Sequence, residues 1–159
     1  MRKSIPLISV LLVTFWLLSA CGPRQPSIQP GSATQEYTID VIPTPSAGNA
    51  TITGILKQDA GGGSTPVRDT LLSLGKVLEN DKGTPVMGQV NANTKLRTKT
   101  DSKGRFFFAD VPPGKYVLVD DHIVQAYLLN DPKTGGDLII VANPDNVVDL
   151  GVLAYGKLP

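Results

Sequence analysis

The stretch "DSKGRFFFADVPPGKYVL", Asp101 to Leu118, constrains the fold more than any other part of the chain. Asp101-Ser102-Lys103-Gly104 has turn chemistry. An aspartate at the first position can bond the backbone ahead of it, and a glycine at the fourth takes positive φ at little cost. A strand must then leave the turn, and neighbours along a strand point to opposite faces. Phe106 and Phe108 therefore share one face and Phe107 lies on the other. Two buried phenylalanines on one strand, each contributing ~1.5–3 kcal/mol when fully buried, would anchor a core. Pro112 and Pro113 cannot donate to a ladder and must leave the sheet, and Gly114 completes the reversal. On the returning strand Tyr116 and Leu118 point inward, with Val117 and Val119 on the other face.

The rest of the chain continues in this style. Candidate strands are residues 51–57, 69–75, 95–99, 105–111, 115–120, 126–129, 138–142 and 147–153. Turn-rich stretches separate them: "DAGGGSTP", "NDKGTP", "PPG", "NDPKTGGD" and "NPDN". Short strands at regular spacing between such turns predict a sandwich or barrel. "LLSLGKVLEN" comes nearest to a helical pattern, but Gly75 interrupts it. Leu72, Leu74, Ile139 and Val141 are expected to supply the surface opposite Phe106, Phe108, Tyr116 and Leu118. The expected domain runs over residues 50–159, long enough for a real core. Residues 21–49 are rich in Pro, Gly, Ser, Gln and Thr and read as a solvated, flexible tether. Within them Tyr37–Ile42 alternates well enough to be either an edge strand or an extended linker.

The N-terminus carries a different signal. Arg2 and Lys3 precede the apolar run "LISVLLVTFWLL", Leu7 to Leu18, and small residues follow it. A basic start, a short apolar run and small residues before a cut describe a secretory signal peptide over residues 1–20. The run of 12 residues falls short of the ~20 that a spanning helix needs. Cys21 is the only cysteine, so no internal disulfide can form. Leu18-Ser19-Ala20-Cys21 resembles the lipobox of bacterial lipoproteins. The resemblance implies cleavage before Cys21, a diacylglycerol on its thiol and an acylated amine, which together hold a protein at a bilayer. The expected partner there is membrane lipid, reached through Cys21. Gly22 is not the aspartate that retains many such proteins at the inner membrane, so either membrane is open to it. Without Arg2 and Lys3 the remainder carries 13 basic against 14 acidic side chains. Such a balance gives no global reason to bind nucleic acid.

Thr100-Asp101, Gly104-Arg105-Phe106, Phe108, Val111-Pro112, Gly114, Tyr116 and Leu118 together resemble the carboxypeptidase regulatory-like domain. Gly54-Ile55 with Pro66-Val67, and Asp149-Leu150-Gly151 with Leu153, look like the opening and closing strands of that family. The likeness covers about residues 51–153. It implies an all-β fold: a single antiparallel, Greek-key, transthyretin-like β-sandwich of about seven strands. It also implies a non-catalytic accessory or adhesion-type role. The chain departs from the pattern at Phe107, where the family usually has a small or polar residue. "GILKQDA" further resembles the first strand of collagen-adhesin B-type repeats. That likeness implies an internal isopeptide bond, with Lys57 and Asn143 as the pair and Asp120 as the assisting acid.

Few side chains are suited to catalysis. His122 is the only histidine. A Ser–His–Asp triad would have to use it with Asp120 or Asp121, and no serine sits in a nucleophile-elbow setting. A usual structural zinc site lacks its ligands, and "AGGGS" lacks the Lys-Ser/Thr of a phosphate-binding loop. No cofactor is expected. Asp120, Asp121, Asp131, Asp137 and Asp145 lie in turn regions but not at calcium-loop spacing. Lys95, Arg97, Lys99, Lys103 and Arg105 form a basic run. It reads either as a contact for anionic polymers and headgroups or as a solvated face that discourages edge pairing. The expected function is a membrane-anchored surface module for binding or structural support at the cell envelope, exported and not an enzyme. The unidentified partner would be an envelope protein or polysaccharide. The competing reading is a hydrolase or metal-dependent enzyme on the same scaffold. The expected contact surface is the sheet face carrying Phe107, Val117 and Val119, an apolar strip if open.

Overall fold

Alternating apolar residues between turn signals produce strands along nearly the whole length that the computed structural model describes, residues 36–90, 96–122 and 124–158. The expected signal peptide, Cys21 and Lys95 lie outside the described residues. The strands are β1 (Ala50–Asp59), β2 (Ser64–Pro66), β3 (Leu71–Glu79), β4 (Pro85–Val90), β5 (Arg97–Lys99), β6 (Arg105–Val111), β7 (Gly114–Asp121), β8 (Ala126–Leu128), β9 (Ile139–Ala142) and β10 (Asn146–Tyr155). Seven of them have four residues or more, which accounts for the expected number. β2, β5 and β8 are three-residue pieces riding on longer strands.

Two sheets face each other. In the first, β1 is central, with β10 along one edge and β6 and then β2 along the other. In the second, β3 and β7 pair at the centre. β4 and β5 flank β3, and β8 and β9 flank β7. One pairing amends the antiparallel expectation, because β1 and β10 run parallel, from Ala50 opposite Asn146 to Gln58 opposite Tyr155.

The core lies between the sheets. Ile52, Leu56, Phe106 and Phe108 come from the first sheet, and Leu72, Leu74, Tyr116, Leu118 and Ile140 from the second. The Phe106 and Phe108 rings meet edge to face at 6.0 Å and 70°, a favoured aromatic geometry. Gly54 stands directly opposite Phe106 in the ladder, and a Cβ there would come within 2.8 Å of the Phe106 ring. The strand gives up a side chain so that the ring can lie over its backbone. The Tyr116 hydroxyl donates to the Pro112 carbonyl at 2.9 Å, which ties the double proline to the returning strand. Burial raises the Tyr116 pKa above its ordinary value.

The Asp101 turn forms as its residues demand. Gly104 has φ +75°, and a Cβ on it would lie 2.3 Å from the Leu56 carbonyl oxygen. The Leu56 amide in turn donates to the Gly104 carbonyl at 2.7 Å. The turn thus abuts β1 backbone to backbone, which no other residue type would permit.

Two expectations about the core need correction. Ile139 and Val141 do not face Phe106. Tyr116 pairs with Ile140, and Val117 with Ile139, so it is Ile140 and Ala142 that turn inward while Val141 is 46% exposed. A strand has period two, so a slip of one residue exchanges its faces. The second correction concerns the domain boundary. Ile39 is buried, with 4% of its surface exposed, so the packed body starts before residue 50. Tyr37–Ile42 is not a strand.

Candidate functional site

Phe107, Val117 and Val119 were expected on one open face, and the structure separates them. Phe107 belongs to β6 in the first sheet and lies across from Thr53 on its outer side. Val117 and Val119 belong to β7 in the second sheet, where they pair with Gly75 and Ser73. Opposite sheets of a sandwich have opposite outer faces, so no strip joins the three. Val117 and Val119 are moreover buried, each 4% exposed, in a small cluster with Val77 and the partly buried Ile139. Parity along each strand was read correctly. The error was to place consecutive strands in one sheet, when the double proline carries the chain from one sheet to the other.

The residues of the proposed isopeptide bond are not brought together either. β1 and β10 run parallel with Ala50 opposite Asn146. Asn143 precedes that start, whereas Lys57 lies seven residues beyond Ala50, a separation of roughly 23 Å along the strand at ~3.3 Å per residue. Lys57 shares the outward parity of Thr53 and Ile55, while Asp120 is cross-strand from the core residue Leu72 in the other sheet.

The charged residues form local pairs. Arg97 Nε lies 3.0 Å from Asp121 Oδ2, Lys99 Nζ 3.2 Å from Asp69 Oδ1, and Arg105 Nε 2.9 Å from Asp101 Oδ2. Three of the five residues of the basic run, Arg97, Lys99 and Arg105, are therefore matched by carboxylates. His122 Nε2 stands 3.2 Å from Asp120 Oδ2, with the imidazole about half exposed and the carboxylate buried. Its ring meets Tyr127 edge-on. The Ser73 hydroxyl donates to Asp121 Oδ2 at 2.5 Å, on the other face of the sheet from Asp120. Ser73, Asp120 and His122 thus do not converge as a nucleophile, base and orienting acid would. Among the described residues no three His, Cys, Asp or Glu side chains gather to hold a metal ion.

What the fold does assemble is a set of carboxylates around the N-terminal segment. Asp101 Oδ2 accepts from the Ile39 amide at 2.9 Å, Asp110 Oδ1 from the Ser46 amide at 2.9 Å, and Asp145 Oδ1 from the Gly48 amide at 2.7 Å. The Ser102 amide donates to the Tyr37 carbonyl at 3.0 Å, and the Thr51 hydroxyl to the Pro43 carbonyl at 3.0 Å. Residues 37–49 are in this way strapped across the outer side of the first sheet. Beneath the strap is a hollow of about 200 Å³ lined by Ile39, Ile42, Ile55, Arg105, Asp40 and Asp149 among others.

Each carboxylate is set by local backbone. Asp101 sits in the turn, where its Oδ1 also accepts from the Lys103 and Arg105 amides, both at 2.8 Å. Burial pushes its pKa up. The bonds from the Ile39, Arg105 and Lys103 amides and from the Arg105 side chain reverse that and hold it below the ordinary value. Asp110 occupies a bulge, because Ala50 and Ile52 pair with Val111 and Phe108, three residues apart against two. Bulges re-aim side chains. Asp110 and Asp145 both take positive φ, 52° and 56°, a conformation aspartate tolerates better than most residues. Hydrogen bonds from the Ser46 side chain and amide lower the Asp110 pKa. Sequence reading missed this site. Its trace in the sequence was the alternating stretch Tyr37–Ile42, with Ile39 at its centre, amid polar, proline-rich surroundings.

No protein-family model matches the chain, and no curated protein matches its sequence. Among solved structures the chain is similar to a minor pilin of Streptococcus agalactiae, at 12% identity and a TM-score of 0.43, over 71% of this chain and 47% of that one. It is also similar to a putative carbohydrate-binding protein of Pseudomonas aeruginosa, at 17% identity and a TM-score of 0.39, over 70% of this chain and 92% of that one. A third is the major pilin subunit of Bacillus cereus, at 13% identity and a TM-score of 0.38, over 69% of this chain and 30% of that one. The chain spans about half the length of the first of these and less than a third of the last.

Proposed function

We propose that the chain is a bacterial lipoprotein whose mature form is held at the cell envelope through Cys21. In this reading it presents a carboxypeptidase regulatory-like β-sandwich for binding or structural support, without catalysis. The observation that carries the reading is the lone Cys21 directly after Leu18-Ser19-Ala20 and the apolar run. Two acyl chains at that position supply the membrane affinity that one lacks. The molecule is exported and attached either to the outer side of the cytoplasmic membrane or to an outer membrane. Its partner is an envelope protein or a polysaccharide.

The family assignment draws support from the core. Phe106, Phe108, Val111, Tyr116 and Leu118, the apolar positions of the motif, are all buried. The non-catalytic role draws support from the dispersal of Ser73, Asp120 and His122 over two faces. Metabolic labelling with a fatty-acid analogue tests the anchor. The wild-type chain is expected to take up label and to sediment with membranes, and Cys21→Ala to do neither. Label retained by Cys21→Ala would overturn the assignment.

A further inference from the structure

Three features set residues 37–49 apart from the sandwich they lie on. None of them is in a strand, so no ladder binds them to either sheet. Their one deeply buried apolar side chain, Ile39, belongs to neither of the two core clusters. Tyr37, Val41 and Ile42 are 51%, 78% and 37% exposed. Third, the strap is gripped by side chains of the body. Asp101 is held by its own turn through the Lys103 and Arg105 amides and Asp110 stands on the β6 bulge, while the Asp145 amide itself donates to the Asn49 carbonyl at 2.7 Å. Removing the strap therefore leaves both core clusters and the Asp101 acceptor in place. Segments with few buried apolar contacts and no ladder are the ones that open below the global unfolding limit.

We propose that Tyr37–Asn49 opens and closes as one unit while the sandwich stays folded, so that the chain between the body and its N-terminal attachment has two lengths. Opening frees 13 residues, which extended to ~3.3–3.6 Å each add up to roughly 45 Å of reach. Closed, the strap fixes where the chain leaves the body, at the Asp101 turn beside Ser102. The meaning of the two lengths rests on the N-terminal anchor proposed above. The opening does not, and the experiment reads the opening alone.

The strap acts as a unit only if its grips are coupled. Residue-resolved amide exchange on the full-length chain measures this. In the wild type the Ile39, Ser46 and Gly48 amides are expected to share one protection factor, well below that of a core strand amide such as Leu118. Asp110→Gly and Asp145→Gly each remove one acceptor and keep a residue that adopts positive φ readily. Either variant is expected to speed exchange at all three amides together, by about tenfold for one charged hydrogen bond. Acceleration confined to Ser46 in Asp110→Gly and to Gly48 in Asp145→Gly would overturn the proposal, because the contacts would then open singly. Protection of the three amides equal to that of Leu118 in the wild type would overturn it too, because the strap would then open only with the whole fold. Neither result bears on whether Cys21 is acylated.

Discussion

The two ends of the hairpin motif do different work at single residues. Phe106 and Phe108 fill the core, and Phe107 covers the outside of the first sheet. Phe106→Ala is expected to cost ~3–5 kcal/mol, from lost transfer energy and the cavity left beside Gly54. Phe107→Ala, at a partly buried site on the outer side of the sheet, should cost less than half of that. Urea unfolding of the two variants decides it, and equal costs would mean that the faces are misassigned. Asp101 makes a second residue-scale prediction, with a pH signature. Its carboxylate accepts from two amides on one oxygen and from the Ile39 amide and Arg105 Nε on the other. An asparagine would turn its NH₂ toward donors on one side, so Asp101→Asn is expected to cost about 2–4 kcal/mol at neutral pH. The folded pKa lies below the unfolded one. The stabilisation is therefore complete above the ordinary carboxylate pKa of ~3.9. It drains away as pH falls toward the folded value, since the unfolded chain takes up its proton first. The gap between wild type and variant should narrow between about pH 5 and pH 2. A gap that stays constant over that range would show that the carboxylate's charge contributes nothing.

Individual elements show what the sequence could and could not reveal. β6 was read with its bounds intact, because a complete turn precedes it and a double proline ends it. β1, β7 and β10 were read in place but too short, since propensity fades at strand ends while pairing continues, and β3 was read at 69–75, displaced toward the N-terminus of its observed Leu71–Glu79. β2 and β4 were missed. Ser64–Pro66 lies inside what reads as turn chemistry, and it is a strand only because Lys57–Asp59 offers an edge to it. β9 was found with its faces exchanged. "LIIVA" is apolar at every position, so no alternation marks its inner face, and only pairing with β7 decides. Ile140→Ala is therefore expected to cost ~2–4 kcal/mol, and Val141→Ala less than ~1 kcal/mol. Thermal unfolding of this pair tests the register directly, and the reverse order would restore the sequence-based assignment. The contact surface failed for a related reason. Parity along a strand is local and legible, but which sheet a strand joins depends on pairings between distant residues.

At the scale of the molecule, the strap changes where the body ends. Composition assigned residues 21–49, the strap among them, to a tether, because a segment of Pro, Gly, Ser and Thr cannot build a core of its own. It does not need to, because the carboxylates of Asp101, Asp110 and Asp145 hold it. A chain cut to residues 36–159 should therefore unfold at the same urea concentration as a chain of residues 21–159. A chain cut to residues 50–159 loses Ile39 and every strap hydrogen bond, and should still unfold cooperatively but with lower stability. The expected loss is ~1–3 kcal/mol, on the scale of burying one isoleucine. That loss is not independent of the exchange measurement. Deleting a segment that opens by itself lowers the stability of the rest by the free energy of that opening. The truncation difference and the opening free energy of the Ile39, Ser46 and Gly48 amides must then agree. A 50–159 chain that fails to fold would make the strap part of the cooperative core. A loss far larger than the opening free energy would mean that the strap supports strands it does not touch.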